Sequence, residues 1–479
     1  MKKVTVVFLL LATVLGIKAQ TKIMVLSDLH LMAPSLLKED GSAWQKFLAN
    51  DRKLIDFSQP LFDETMKRIK NDIKPELLLI TGDLTKDGET ESHEYVVKKL
   101  DELKEAGIRT LVIPGNHDLD MGNAAVAYDG NQTTVVESPT LDQFAKLYAN
   151  YGYGQEMDLE STSKTWACEP VNGLLVIGIN SGKKGKLSAA TLDWVCEKAS
   201  AATNAGKKVL VMMHHALIPH ITNADLFVST TVVDDHDTIR KRLIDAGVKV
   251  ILTGHFHTSD IAKDFSDNLE KDIFDIATGS LVSYPCDYRE LILSADLSEL
   301  NVTTGHITST AGTDKFTPDS ARTRLHNSIK RVSKNRGIAK VKEKYGALGV
   351  EIVKDKISDL ADMVGNAFVI HAEGDEHKVN TDSILNNLTD DLVNTMMKGS
   401  KIMFTSMLKD LAPYGIEGRE NQTDDLTLTI DLGAPTSIST PIIDRNITEC
   451  WFDMDGHQLL SKPTKKGMYI YQGKKLIIK

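Results

Sequence analysis

Five short apolar runs, each closing on a cluster of His, Asp or Asn, constrain this chain more than any other feature of its sequence. They cover residues 23–26, 77–80, 110–113, 209–213 and 248–252 and are mostly apolar at successive positions, as strands covered on both faces must be. Between them, residues 60–74 and 91–106 carry apolar side chains at helical spacing. Val96, Val97, Leu100 and Leu103 share one face, and Gly107 stops the second helix. This alternation predicts an α/β domain. Further β patterns at 174–179, 273–276 and 291–297 predict a second sheet packed on the first.

The ends of the runs carry the chemistry. The first leads into Ser27-Asp28-Leu29-His30, with a carboxylate and an imidazole two residues apart on one side of an extended segment. The second ends in Thr81-Gly82-Asp83-Leu84, where Gly82 permits a tight turn and Asp83 can offer its two oxygens to two cations. The third ends in Pro114-Gly115-Asn116-His117-Asp118, the fourth in Met213-His214-His215-Ala216, and the fifth in Thr253-Gly254-His255-Phe256-His257. Each motif alone is common. All five in this order, each following a strand, place their side chains at the carboxyl edge of a sheet, where α/β proteins bind ligands. Left without cations, that edge would be an uncompensated cluster of carboxylates and imidazoles.

With these motifs the chain resembles the calcineurin-like metallophosphoesterase superfamily over about residues 22–300: Asp-x-His, Gly-Asp, Gly-Asn-His-Asp, a lone His, and Gly-His-x-His. The resemblance implies a four-layer α/β/β/α sandwich, two mixed sheets between helices. It also implies two metal ions, with Asp28, His30 and His257 on one, Asn116, His214 and His255 on the other, and Asp83 bridging them. His214 is preferred to its neighbour His215, which is left to the rim, because the family's ligand opens a His-x-Pro-like run. His117 is implied as the acid that protonates the leaving oxygen, with Asp118 holding its tautomer. The nucleophile implied is a hydroxide bridging the two ions. Mixed His, Asp and Asn ligation suits a divalent pair or an Fe(III)/divalent pair drawn from Mn, Fe or Zn.

Protein phosphatases of this superfamily carry arginines beside the second and third motifs, and none stands there in this sequence. A phosphomonoester dianion would lack its clamp. A small phosphodiester is therefore expected, and the Pro-Gly-Asn-His-Asp form, with Thr278-Gly279-Ser280 and Asp287-Tyr288-Arg289, resembles bacterial class III cyclic-nucleotide phosphodiesterases. Lys86 could partly replace an arginine, which keeps a nucleotidase or phosphomonoesterase as the alternative. A non-catalytic exported binding protein with structural metals is a second alternative. The insertion 31–59 carries Trp44, Phe47 and Phe57, readable as local core or as a wall for a stacked base.

The 479 residues exceed one ordinary domain. Residues 1–19, with Lys2 and Lys3 before an apolar run at 4–17, read as a secretory signal peptide. The mature protein is then expected to be periplasmic or secreted, with no transmembrane segment. Loss of Lys2, Lys3 and Lys18 makes the formal charge of −10 three units more negative. That disfavours duplex nucleic acid as a partner and leaves a small phosphate ester.

The phosphoesterase domain is expected at 20–310, and the polar stretch at 311–320 marks its boundary. Residues 311–479 form an accessory region, helical over about 319–411 and β-rich over about 420–479. The basic run 322–344 reads as a wet helix face or an anion-binding surface. His93, His220 and His236 lack ligand spacing and are expected at the surface or rim, and His371 and His377 in solvent. Cys168, Cys196, Cys286 and Cys450 are scattered without metal spacing.

Overall fold

The computed structural model describes residues 20–433, apart from 155–156, 225–229, 269, 311–312, 314, 375, 388–399 and 410–423. Beyond 433 it describes 451–452, 458–459, 466–471 and 474–478. The expected signal peptide at 1–19 lies outside the described residues.

Two mixed sheets form the core. The first runs, in spatial order, Thr427–Asp431, Glu299–His306, Asp287–Leu293, Thr21–Leu26, Leu77–Ile80, Arg109–Val112. Its last three strands are mutually parallel, and Asp287–Leu293 joins Thr21–Leu26 antiparallel. The second sheet runs Asp260–Phe265, Asp272–Ala277, Val250–Thr253, Lys208–Met213, Leu174–Ile179, Trp166–Val171, Asp158–Leu159, with its four central strands parallel.

The two-residue period of a strand explains the layers. Ile23, Val25, Leu77 and Leu79 point from the first sheet towards Val176, Leu210, Met212 and Leu252 of the second, making one core between the sheets. Their alternates Met24, Leu26, Leu78 and Ile80 face the other way and pack with Leu61, Phe62, Val96 and Leu100 of helices Ser58–Arg68 and Thr90–Glu105. On the far side, Ile177, Val209, Val211 and Ile251 meet Val195 and Leu243 of helices Ala189–Asn204 and His236–Asp245. Apolar residues on both faces of each strand thus require helix, sheet, sheet, helix.

The expected boundary near residue 311 does not divide the structure, which separates into compact units at Pro435. Two contacts place the intervening chain in the first unit. Helix Pro318–Glu373, interrupted at Gly346 with φ +70°, buries Leu325, Ile329, Leu360 and Val364 in a core that includes Ile221 and Ala224. Strand Thr427–Asp431 then pairs antiparallel with Glu299–His306 as an edge of the first sheet, with Ile430 buried. In the second unit, strands Trp451–Phe452, Gln458–Leu459, Gly467–Tyr471 and Lys474–Ile478 form a sheet of their own. Among the described residues, no helix is long and apolar enough to cross a membrane.

Three histidines assigned to the surface or to solvent are buried instead, because a carboxylate, a hydroxyl or a carbonyl pairs with each. His93 lies 2.9 Å from the Tyr148 hydroxyl and 3.0 Å from the Asp118 carbonyl. His220 sits between Asp260, 2.9 Å away, and Asp275, and His371 pairs with Glu376. His377 is exposed, as expected.

Candidate metal centre

All five motifs converge at the carboxyl edges of the two facing sheets. Close backbone approach makes this possible. A Cβ on Gly115 would stand 2.2 Å from Asp83 Oδ1, and one on Gly254 1.9 Å from Ser27 Oγ. Asp28, His30, Asp83, His255 and His257 all have φ between +37° and +67°. Non-glycine residues avoid that region at a cost of about 1–3 kcal/mol each, and it is tolerated where the surroundings over-determine the backbone. Here strand pairing on one side and loop hydrogen bonds such as Asp28 N to Gly82 O and His30 N to Asp83 O, both 3.0 Å, do so.

Two groups of potential ligand atoms result, Asp28, His30, Asp83 and His257, and Asp83, His214 and His255, with Asp83 in both. Asp83 Oδ2 lies 3.5 Å from His30 Nε2 and 3.4 Å from His214 Nε2, while its Oδ1 accepts the His117 backbone N–H at 2.8 Å. His257 Nε2 is 3.2 Å from Asp28 Oδ1 and 3.1 Å from His30 Nε2. Asn116 Oδ1 is 3.0 Å from His214 Nε2, and His214 Nδ1 donates to the Thr81 carbonyl at 2.9 Å. With Nδ1 so engaged, Nε2 is the ring nitrogen that a neutral His214 would offer to a cation beside the Asn116 oxygen.

The residues present fit a pair of cations. Asp28 Oδ1 and His255 Nε2 are buried without a hydrogen-bond partner among the described residues. Oxygen and imidazole donors in these numbers match transition-metal sites. Burial works against Asp83 ionising, yet His214, His117 and His30 hold its carboxyl well below the usual range. Asp28 is likewise lowered, chiefly by His257 against its burial. Burial pulls His255 down to about 4 and also lowers His30 and His257. Against its burial, His214 is pushed up to about 9 by Asp83. Ionised carboxylates beside mostly neutral imidazoles are the state that cation binding requires.

His215 is buried rather than at the rim. Its Nδ1 meets Ser181 Oγ at 2.8 Å, its ring packs 4.5 Å from His255, and it belongs to neither group. Asp118 does not hold His117. Its oxygens instead accept the N–H groups of Leu84, Thr85 and Gly115 at 2.8–3.1 Å, fastening the second and third motifs together. The residue against His117 is Asp87, whose Oδ1 lies 2.8 Å from Nδ1. Burial lowers His117, but Asp83 and Asp87 outweigh it and raise it overall. Asp87 stands in Thr85-Lys86-Asp87-Gly88, four residues past Asp83, and only that proximity to a motif could have signalled it.

Lys86 cannot stand in for an arginine clamp, since it is buried between Asp87 and Glu89, which lies 3.1 Å away. The positive charge near the centre comes from the insertion. Lys53 helps to depress His30, and Arg52 helps to depress His257. The backbone places them there, because Leu54 N donates to Val282 O at 2.7 Å and Ser283 Oγ lies 3.5 Å from His257 Nδ1. Trp44 and Phe57 are local packing, Trp44 against Tyr128 at 4.9 Å and Phe57 against Phe316 at 5.7 Å.

Comparison with known proteins decides the family. Residues 21–259 match the family model described as calcineurin-like phosphoesterase. The chain belongs to that family. It is therefore a phosphoesterase of a dinuclear, metal-dependent class. A 3',5'-cyclic-nucleotide phosphodiesterase of Nostoc sp. is 27% identical over 238 residues, 48% of this chain and 70% of that one. A protein of Xenorhabdus bovienii named "probable cyclic nucleotide phosphodiesterase" is 27% identical over 212 residues, 43% of this phosphoesterase and 73% of its own length. Among solved structures, a dimetal phosphatase from Danio rerio aligns over 60% of this chain and 96% of its own, at 11% identity and a TM-score of 0.42.

Proposed function

We propose that this phosphoesterase hydrolyses a small phosphodiester, a cyclic nucleotide or a related nucleotide diester, at a two-metal centre. The observation that carries the reading is the position of Asp83 Oδ2, within 3.5 Å of an imidazole from each ligand group. In this assignment Asp28, His30 and His257 hold one ion, Asn116, His214 and His255 the other, and Asp83 both. Mn, Fe and Zn suit that donor set. When bound, such ions supply Lewis acidity to the phosphoryl group and make water nucleophilic at neutral pH.

The chain's own residues do the rest. Asp28 and Asp83 bring buried negative charge to the site. His117 is partly exposed, with 29% of its side chain accessible, and its ring meets that of His30 edge-on at 5.0 Å. With Nδ1 tied to Asp87, Nε2 is the atom left to give a proton to the departing alkoxide. The absence of arginine beside the second and third motifs and the names of the two 27%-identical relatives support a diester. Export through the 1–19 segment is part of the same proposal.

Turnover of bis-p-nitrophenyl phosphate against p-nitrophenyl phosphate tests it, with a clear preference for the bis ester expected. A preference for the monoester would replace the diesterase by a phosphomonoesterase at the same centre. The presence of Lys53 and Arg52 near His30 and His257 favours that second reading.

A further inference from the structure

Two sequence features, the aromatic insertion and the basic run on the long C-terminal helix, face each other across one cavity. It has a volume of about 630 Å³, and its aromatic lining is Phe47, Tyr128 and Phe368. Its cationic lining is Lys46 and Arg52 from the insertion and Arg331 and Arg336 from helix Pro318–Glu373, against a single carboxylate, Asp51. Pockets for nucleotide-sized ligands run from about 300 to 1,000 Å³ and pair apolar walls with a few placed charges.

Two chains of contacts tie the lining of the cavity to the centre. Arg52 precedes the segment anchored by Leu54 to Val282, beside Ser283 and His257. Burial lowers Arg52, and the Asp51 and then the Asp28 carboxylates work against that lowering. Along the other chain, Lys86 Nζ stands 5.1 Å from the centre of the Phe47 ring and 5.8 Å from that of Tyr128, and its neighbour Asp87 holds His117. Among the described residues no hydrogen bond engages the Arg52 guanidinium, and Arg331 gives one N–H to the Ala49 carbonyl.

Phe47, itself stacked on Trp44 at 5.4 Å, and Phe368 give the cavity apolar walls against which a nucleoside can lie, and an arginine fork matches phosphate oxygens. A cyclic mononucleotide would leave this cavity without an anion, because its one phosphate is the group being cleaved. We infer that the cavity is a subsite for a phosphate-bearing nucleoside arm, so that the preferred diester carries a second phosphoryl group beyond the one hydrolysed. This rests on the diesterase reading and names its substrate class. The helical part of the C-terminal region then acts as one wall of the substrate site.

The test compares the linear dinucleotides pApA and ApA, with bis-p-nitrophenyl phosphate as a substrate lacking the second anion, on full-length metal-loaded protein. The wild type should hydrolyse pApA with kcat/KM at least about tenfold above ApA, as expected for one charged phosphate contact. Arg331→Gln should remove most of that preference, while bis-p-nitrophenyl phosphate turnover stays within about twofold. Val332→Glu, which puts a carboxylate on an exposed lining position and keeps the Arg331 bond to Ala49, should do the same. Equal turnover of pApA and ApA by the wild type, or a preference that survives both substitutions, would overturn the subsite.

If no diester is hydrolysed, calorimetric binding of AMP, adenosine and orthophosphate separates the two claims. AMP binding that exceeds adenosine binding and weakens about tenfold in Arg331→Gln, with orthophosphate unaffected, upholds the subsite and removes the diesterase reading. AMP and adenosine binding alike would remove the subsite.

Discussion

His117 Nδ1 lies 2.8 Å from Asp87 Oδ1, so the ring of the candidate acid is oriented by a carboxylate from the second motif and not by its own neighbour Asp118. Losing such an orienting partner lowers activity by about 10- to 100-fold. Asp87→Asn should therefore depress kcat by that amount on diesters with alkyl alcohol leaving groups, which need a proton. It should matter much less for p-nitrophenolate, which leaves without one. Equal losses on both substrates would mean that Asp87 shapes the site in general and does not act through His117.

Asp83 is shared between the two ligand groups, whereas Asn116 touches one. Asp83→Asn should lower the content of both ions and reduce kcat by about a thousandfold, equivalent to about 4 kcal/mol of transition-state stabilisation. Asn116→Ala should lower one ion only. Elemental analysis of the purified variants distinguishes these outcomes, and a full complement of both ions in Asp83→Asn would remove it as the bridge.

His220 is pushed up to about 10 by Asp260 and Asp275 in spite of its burial. Asp260 also faces His371 and feels Arg289. A histidine raised above its unfolded value of about 6.5 stabilises the fold fully below that pH and loses the contribution as pH rises towards its folded value. His220→Gln leaves buried carboxylates uncompensated and should cost about 3–5 kcal/mol near pH 6. The gap to wild type, read from urea midpoints, should narrow between about pH 6.5 and pH 10. A gap that stays constant over this window would show that His220 is not charged in the native protein.

Deleting the chain after residue 310 removes strand Thr427–Asp431 and helix Pro318–Glu373 from the first unit. That opens the edge of Glu299–His306 and bares Ile221, Ala224 and Phe256, which pack in the helix's core. Open edges and apolar patches of this kind drive association. The truncated protein should elute from size exclusion as aggregate. A monomer with undiminished bis-p-nitrophenyl phosphate turnover would contradict the packing described for this region.

The metal centre was legible because its signals are local. Each motif directly follows a strand whose apolar residues declare both faces, and Asp28, Asp83 and His255 need no distant context to be noticed. What was not legible depends on pairs far apart in sequence. His220 reads as a rim residue until Asp260 and Asp275 are brought against it. The boundary near 311 followed a real change in composition. Strand Thr427–Asp431 nevertheless crosses it to pair with Glu299–His306, and composition carries no information on such pairing.

That late pairing sets an order of events. The last of the candidate ligands, His257, leaves the ribosome well before Asp431, which closes the sheet begun at Thr21. At roughly 5–20 residues per second the edge of Glu299–His306 stays open for about ten seconds while the intervening helices are made. The nascent chain therefore holds every side chain of its chemistry for an interval in which the scaffold that aligns them is still unfinished.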